Sequence, residues 1–394
     1  MWRPRRNTAA EASSIPFALP DIGPDEIAAV VDTLRSGWIT SGPKVRQFEE
    51  GFQRFIGDGV ECVAVNSATA GLHLALEACG VQAGDEVIVP THTFAATAEV
   101  VRYIGADVAF ADIDPNTYCI DPESIERCLT PRTRAIIPVH FGGLVSDMDA
   151  ILKIAERFNL TVIEDAAHAF PSEYHGKLVG TLGSDAAVFS FHATKTLATG
   201  EGGMLVTKDH AIAQRARVMR THGIDRDAFS RTTAPNHTWR YEIVAPGFKY
   251  NMTDIAAAIG IAQLARTQAL LARRRVLVQR YREGLEGEPL ILPPEPSDGS
   301  THSWHLYVIQ LTEEARPTRE EVLRALYDDG IECAVHYIPL HMQPYWRDRY
   351  QLLPEQFPHS KQLSERSISL PLYTRMSAAD QDRVIDSLRR ILGT

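Results

Sequence analysis

The chain has 394 residues, 44% of them hydrophobic and 23% charged, with a formal net charge of −10. That balance suits a folded chain with one large domain and a smaller one, and it excludes a disordered tail-like protein. It also excludes a nucleic-acid backbone as the natural partner, because phosphates need a basic face, while a few local donors can still hold a small anion.

No apolar run approaches the roughly 20 residues needed to cross a bilayer. Residues 1–24 read as an N-terminal arm. Its basic start has no apolar stretch behind it of the kind a secretory signal requires. Cys62, Cys79, Cys119, Cys128 and Cys333 are scattered and never form a CxxC pair. That argues against a zinc site or a disulfide framework and predicts a reducing, cytoplasmic setting.

Pro24 to Arg35 predicts the first helix, with Ile27, Val30, Val31 and Leu34 on one face, Pro in the first turn and Gly37 past the end. Seven short apolar runs follow: Val63–Val65, Glu86–Val89, Asp107–Phe110, Ala135–Val139, Leu160–Ile163, Ala186–Ser190 and Gly203–Val206. Runs of this length, separated by helix-length stretches, predict a mostly parallel seven-stranded sheet flanked by helices, an α/β fold. Ala211–Arg220 and Thr253–Tyr281 read as helices, and Pro293-Pro294 with Ser297–Ser300 as a surface connection. A smaller α+β unit is expected after it. Its elements are a strand at Leu306–Leu311, a helix with a Thr318/Glu321 capping box closed by Gly330, a strand at Glu332–Val335 and a helix at Ala378–Leu392. The expected boundaries are 25–262 for the large domain and 263–394 for the small one.

Four segments carry chemistry. Asn66–Gly71 joins a strand to a helix and offers free backbone N–H groups to a phosphate, although a plain Ser/Thr cap is the commoner explanation of such a segment alone. Glu164-Asp165 ends a buried strand, where open α/β sheets bind ligands; a carboxylate there could hold a protonated pyridine nitrogen or simply cap a helix. Lys195 follows a buried strand among Phe189, Phe191 and the glycines of 200–203. Burial lowers a lysine's pKa and frees a neutral amine to act as nucleophile or base. Gly247–Asp254, on its own, is a capped helix start.

In order along the chain stand Gly84–Pro90, Thr93-Phe94, Ala111–Asp114, Pro138–His140, Glu164–Ala167, Phe189–Phe191, Lys195 and Gly200–Gly203. From about Gly37 to Leu372 the sequence resembles the DegT/DnrJ/EryC1/StrS-type sugar aminotransferases of antibiotic and lipopolysaccharide pathways, fold-type I enzymes of pyridoxal 5'-phosphate. The resemblance implies Lys195 as the Schiff-base lysine that shuttles the proton, and Asp165 as partner of the pyridinium nitrogen, which makes the ring an electron sink. It further implies Phe94 stacked on the ring, Ala68, Thr69 and Ser190 around the phosphate, and His168 on the ring hydroxyl. The loop departs from the family's commonest pattern, Gly-Tyr-Asn-x-Arg. Lys249 takes the Asn place and Asn251 the Arg place, and with His168 this version is similar to the branch that aminates UDP-linked 4-keto sugars. In the family this loop reaches the partner subunit's site, which implies a homodimer with shared active sites.

The resemblance thus leads us to expect a nucleotide-linked keto sugar as substrate and L-glutamate as donor, with no nucleic acid, membrane or metal. His336, His341 and Arg220 are candidate anion donors, or ordinary surface residues. A Rossmann dehydrogenase lacks support, since no G-x-G-x-x-G follows a strand. A sugar 3-dehydratase of the same family carries His in place of the Schiff-base lysine, and a keto-cyclitol aminotransferase is a further alternative. The intact Asp165, Ser190 and Lys195 argue against a non-catalytic scaffold.

Overall fold

The computed structural model describes residues 14–57, 59–225, 240–296 and 299–393. The basic start of the chain and residues 297–298 of the expected connection lie outside the described residues. The strands, in chain order, are β1 (Glu61–Val65), β2 (Glu86–Pro90), β3 (Asp107–Ala111), β4 (Thr133–Ile136), β5 (Thr161–Asp165), the two-residue β6 (Glu173–Tyr174) and β7 (Lys177–Leu178), β8 (Ala186–Ser190) and β9 (Gly203–Thr207). All seven apolar runs enter one sheet, in the order β1-β9-β8-β5-β4-β2-β3. Neighbours from β8 through β3 pair in parallel, and β9 runs antiparallel to both β1 and β8. Helices cover both faces, which is why β2, β8 and β9 are buried at every position and do not alternate. One core layer holds Phe48, Phe52, Phe189 and Phe191, and the other holds Leu72, Leu76, Val188 and Leu205.

A second, antiparallel sheet is built from β10 (Leu290–Ile291), β11 (Tyr307–Leu311) and β12 (Ser367–Leu370). Helices Thr267–Leu285, Arg319–Asp328 and Ala378–Leu392 pack against it around Tyr281, Tyr307, Leu326 and Leu388. The Thr318/Glu321 capping box forms as expected.

The first helix forms as expected but buries its polar side, and two expectations need correction. The helix Pro24–Ser36 forms and ends at Gly37 (φ 74°), yet its apolar stripe faces outward, with Ile27 58% and Leu34 52% exposed. Its polar side is the buried one, because Glu26 accepts hydrogen bonds from the Gln263 amide and the Arg266 guanidinium. The stretch expected as one helix from Thr253 is two, Asp254–Ala265 and Thr267–Leu285, bent by 65°. The break falls at Arg266, which leaves helical geometry (φ −100°, ψ 0°) while its guanidinium reaches Asp21 and Glu26. Glu332–Val335 is not a strand. Ile331, just before it, bridges Ile15, and Ala334 makes a single bridge to Ser369 of β12. Among the described residues no single helix is long and apolar enough to cross a membrane.

Candidate functional site

The carboxyl ends of β1, β5 and β8 open on one edge of the sheet, and the turns that follow them line a cavity of about 550 Å³. Ser67, Ala68, Thr69, Phe94, Asp165, His168, Ser190, Lys195, His305, His336 and Tyr337 are among its walls. Sequence positions nearly 270 residues apart, Ser67 and His336, thus meet on one ligand-sized space.

At one end stands the helix Ala68–Ala78. The Ser67 hydroxyl caps the Ala70 N–H, and the N–H groups of Ala68 and Thr69 head a helix with no preceding turn to receive them. Gly203 seats this helix start against β9. A Cβ there would stand 2.8 Å from the Ala68 nitrogen and 2.7 Å from the Ser67 carbonyl carbon. Ser190 adds a hydroxyl from the end of β8.

At the other end, β5 presents consecutive carboxylates to opposite faces, as strand alternation requires. Asp165 faces the cavity. Its Oδ2 accepts the Thr97 hydroxyl at 2.7 Å, and its Oδ1 accepts the Ala167 N–H at 3.2 Å. Thr93 stands 2.8 Å behind Thr97, hydroxyl to hydroxyl. Burial pushes the Asp165 carboxyl up, and Thr97, Ala167, Lys195 and His140 pull the other way. Glu164 faces the far side, fully buried, 2.8 Å from His140 Nε2 and 2.5 Å from the Ser184 hydroxyl. The Ser146 N–H points at His140 Nδ1, so the imidazole proton sits on Nε2 and is donated to Glu164.

Lys195 is half-buried, with Nζ 3.2 Å from His305 Nε2. Burial pushes its ammonium down to about 8, against the opposing pull of Asp165. An amine of lowered basicity on the same cavity as a buried carboxylate can act as nucleophile or base near neutral pH. His168 lines the wall, but both of its ring nitrogens already have protein partners, the Gly142 N–H at Nδ1 and the Tyr337 hydroxyl at Nε2, each at 3.2 Å. Phe94 closes one side and is 60% exposed.

Of the candidate anion donors only His336 reaches the cavity. Arg220 is not brought there, because its guanidinium is spent on Glu49 and the Ala64 carbonyl, both at 2.6 Å. His341 is also withdrawn, fully buried between the Thr91 hydroxyl and the ring of Phe357. Lys249 and Asn251 bond to each other outside this cavity. Sequence reasoning missed Thr97 and His305, and gave no role of its own to Tyr337, which lies in the segment 336–341 that the resemblance turns toward the sugar nucleotide. Thr93 and Thr97 stand four residues apart at a helix start, a spacing that could have been read as one face. His305 sits just before an apolar strand and carries no signal of its own.

The residues present fit pyridoxal phosphate: unpaired N–H groups at a helix start for a phosphate, a buried carboxylate for a ring nitrogen and an amine of lowered basicity in the same cavity. The comparisons agree. SpsC, a spore coat polysaccharide biosynthesis protein of Bacillus subtilis, is 46% identical over 380 residues, covering 96% of this chain and 97% of that protein. Spr1654 of Streptococcus pneumoniae in its PMP form is 34% identical with a TM-score of 0.88, covering 96% of this chain and 99% of that one, and it has also been solved in a PLP form. PseC of Helicobacter pylori, an aminotransferase involved in the biosynthesis of pseudoaminic acid, is 26% identical with a TM-score of 0.88 at 96% and 99% coverage. The model of the DegT/DnrJ/EryC1/StrS aminotransferase family matches residues 20–389, so the chain belongs to that family and is a sugar aminotransferase dependent on pyridoxal 5'-phosphate.

Proposed function

We propose that this enzyme moves an amino group from L-glutamate to a nucleotide-linked keto sugar, a UDP-4-keto sugar being the preferred substrate. The observation that carries the reading is the meeting of Lys195, Asp165 and the start of the helix Ala68–Ala78 in one cavity. The cofactor, once bound, supplies an electron sink for the carbon that loses its proton. Lys195 Nζ holds the cofactor and then takes the proton from the donor's α-carbon. Asp165 would keep a ring nitrogen protonated, Phe94 would cover the ring, and Ala68, Thr69 and Ser190 would receive the phosphate. His168 would hydrogen-bond the ring hydroxyl, in place of its present contact with Tyr337.

An adjoining cleft of about 750 Å³ shares Thr93, Phe94 and Tyr337 with the cavity and is walled by Tyr103, Tyr345 and Trp346. That extra room supports a substrate larger than a free sugar. The Lys249-x-Asn251 loop with His168 supports the UDP-4-keto class, and the lysine at 195 disfavours a sugar 3-dehydratase. The two half-reactions test this separately. L-glutamate should bleach the visible absorbance of the loaded enzyme, and a UDP-4-keto sugar should then restore it with no further donor. If only a 3-keto dTDP-sugar or a keto-cyclitol restores it, the substrate assignment is wrong.

We also propose a homodimer in which Lys249 and Asn251 of one chain serve the other chain's cofactor phosphate. The outward apolar stripe of the helix Pro24–Ser36 and the placement of Asn251 outside its own cavity support it. Mixed Lys195→Ala and Asn251→Ala chains, each inactive alone, should recover up to about a quarter of wild-type activity, since random pairing makes half of the dimers hybrid and each hybrid has one intact site. A fully active monomer would rule out the shared site.

A further inference from the structure

We propose that Thr97, backed by Thr93, is a positioning residue that holds the Asp165 carboxylate in place as an anion, and so governs how fully a ring nitrogen paired with it stays protonated. This rests on the reading of the cavity as the reaction site.

Thr97 lies in the first turn of the helix Ala95–Tyr103, fully buried, and walls neither the cavity nor the adjoining cleft. A threonine inside a helix can turn its hydroxyl to the carbonyl one turn back. Thr97 turns it instead to Asp165, 68 residues along the chain, at 2.7 Å. The residue that opens this helix, Phe94, faces the cavity, so the cover of the cavity and the clamp on the carboxylate share one stretch of backbone.

The hydrogens are placed by the chemistry of the acceptor. An ionised carboxylate only accepts, so the single hydroxyl hydrogen of Thr97 lies on Asp165 Oδ2. The Thr97 oxygen can then only accept from Thr93, 2.8 Å away. The chain therefore runs one way, Thr93 to Thr97 to Asp165, and each hydroxyl polarises the next. The Ala167 N–H holds the other oxygen at 3.2 Å. Burial works against the charge that these donors support. The titratable groups facing the carboxylate are Lys195 beyond β8, His140 beyond β4 and the Tyr337 phenol, and they are the same in every variant below. Of the two donors the closer one is a side chain, which a substitution can remove.

The test compares Thr97→Val, which keeps the shape, with Thr97→Ser, which keeps the hydroxyl, in the full-length enzyme, alone and combined with Asp165→Asn. With pyridoxal phosphate isotopically labelled at its ring nitrogen, Thr97→Val should move the nitrogen resonance toward its unprotonated value, and Thr97→Ser should leave it at the wild-type position. Both half-reactions should slow in Thr97→Val by a similar factor, about threefold to thirtyfold, because one ring serves both. In the Asp165→Asn background the same change should cost less than about twofold. Thr93→Val should give a smaller loss, about twofold, that disappears in the Thr97→Val background.

The apoenzyme gives a readout free of the cofactor. Loss of the donor raises the folded pKa of Asp165 further, and the added cost to the fold is full above the variant's folded pKa and gone below that of the wild type. The melting gap between wild type and Thr97→Val should therefore be wider at neutral pH than in mild acid, and absent when both carry Asp165→Asn. A gap independent of pH overturns the proposal, as does a nitrogen resonance unmoved in Thr97→Val or a loss of equal size with and without the Asp165 charge. A Thr93→Val loss that persists beside Thr97→Val overturns the second link. Borohydride labelling of Lys195 in each variant checks the reading of the cavity apart from Thr97.

Discussion

Lys195→Ala should leave a folded protein whose transamination is slower by on the order of 10⁴-fold or more, because both the covalent attachment and the proton transfer lose their atom. Borohydride reduction of the loaded wild-type enzyme should leave a pyridoxyl group on the peptide that carries Lys195, and the variant should give none. A label on a different lysine would refute the assignment. The pH dependence follows from burial. With Nζ pushed down to about 8, roughly one amine in ten is neutral at pH 7, against about one in three thousand at the ordinary value. The neutral amine is the reactive form. Attachment of pyridoxal phosphate to the apoenzyme should therefore rise steeply from pH 6 to 8 and flatten above it. A rate still climbing tenfold per unit beyond pH 9 would show an exposed, unperturbed lysine.

Asp165→Asn should cost about 10³-fold in the chemical step while leaving the fold intact, since it keeps size and removes charge from a water-poor site. The Thr97 hydroxyl, which now donates to Oδ2, can rotate and accept from the new amide. The stability of the apoenzyme separates charge from packing. An acid whose folded pKa is raised is destabilising when ionised, a cost fully present above the folded pKa and absent below the unfolded one. Asp165 shifts in that direction, so at pH 7 the Asn apoenzyme should melt no lower than wild type. Near-normal turnover in a cofactor-saturated Asp165→Asn enzyme would rule out the charge role, and a large fall in melting temperature would mean the residue matters through packing.

The large sheet was legible because strands buried on both faces read as uninterrupted apolar runs, which neighbours in sequence suffice to show. Asp165, at the end of such a run, and Lys195, five residues beyond one, stand out as candidates by placement, while their roles come from the resemblance. The first helix shows the limit. Its ends follow from Pro24 and Gly37, but which face is buried depends on Gln263 and Arg266, more than 200 residues away. The same limit hid Tyr337 and His305. A tyrosine after a histidine, or a histidine ahead of a strand, means little until the folded chain sets them beside His168 and Lys195. Arg220 failed in the opposite way, as a cation that looked available and is held by Glu49.

The order Glu164-Asp165 makes the centre of the large sheet self-checking. Were β5 to dock one residue out of step between β4 and β8, Glu164 would swing into the place of Asp165 and Ile163 would stand beside His140. Ile163 has no acceptor to replace the contacts of Glu164 with His140 and Ser184, and the longer Glu164 would crowd Thr97. A misassembled chain would then leave the His140 N–H and the Ser184 hydroxyl without their acceptor, at a cost of about 1–3 kcal/mol for each buried group. The residues that prepare the site for chemistry thereby also proofread how the sheet is put together.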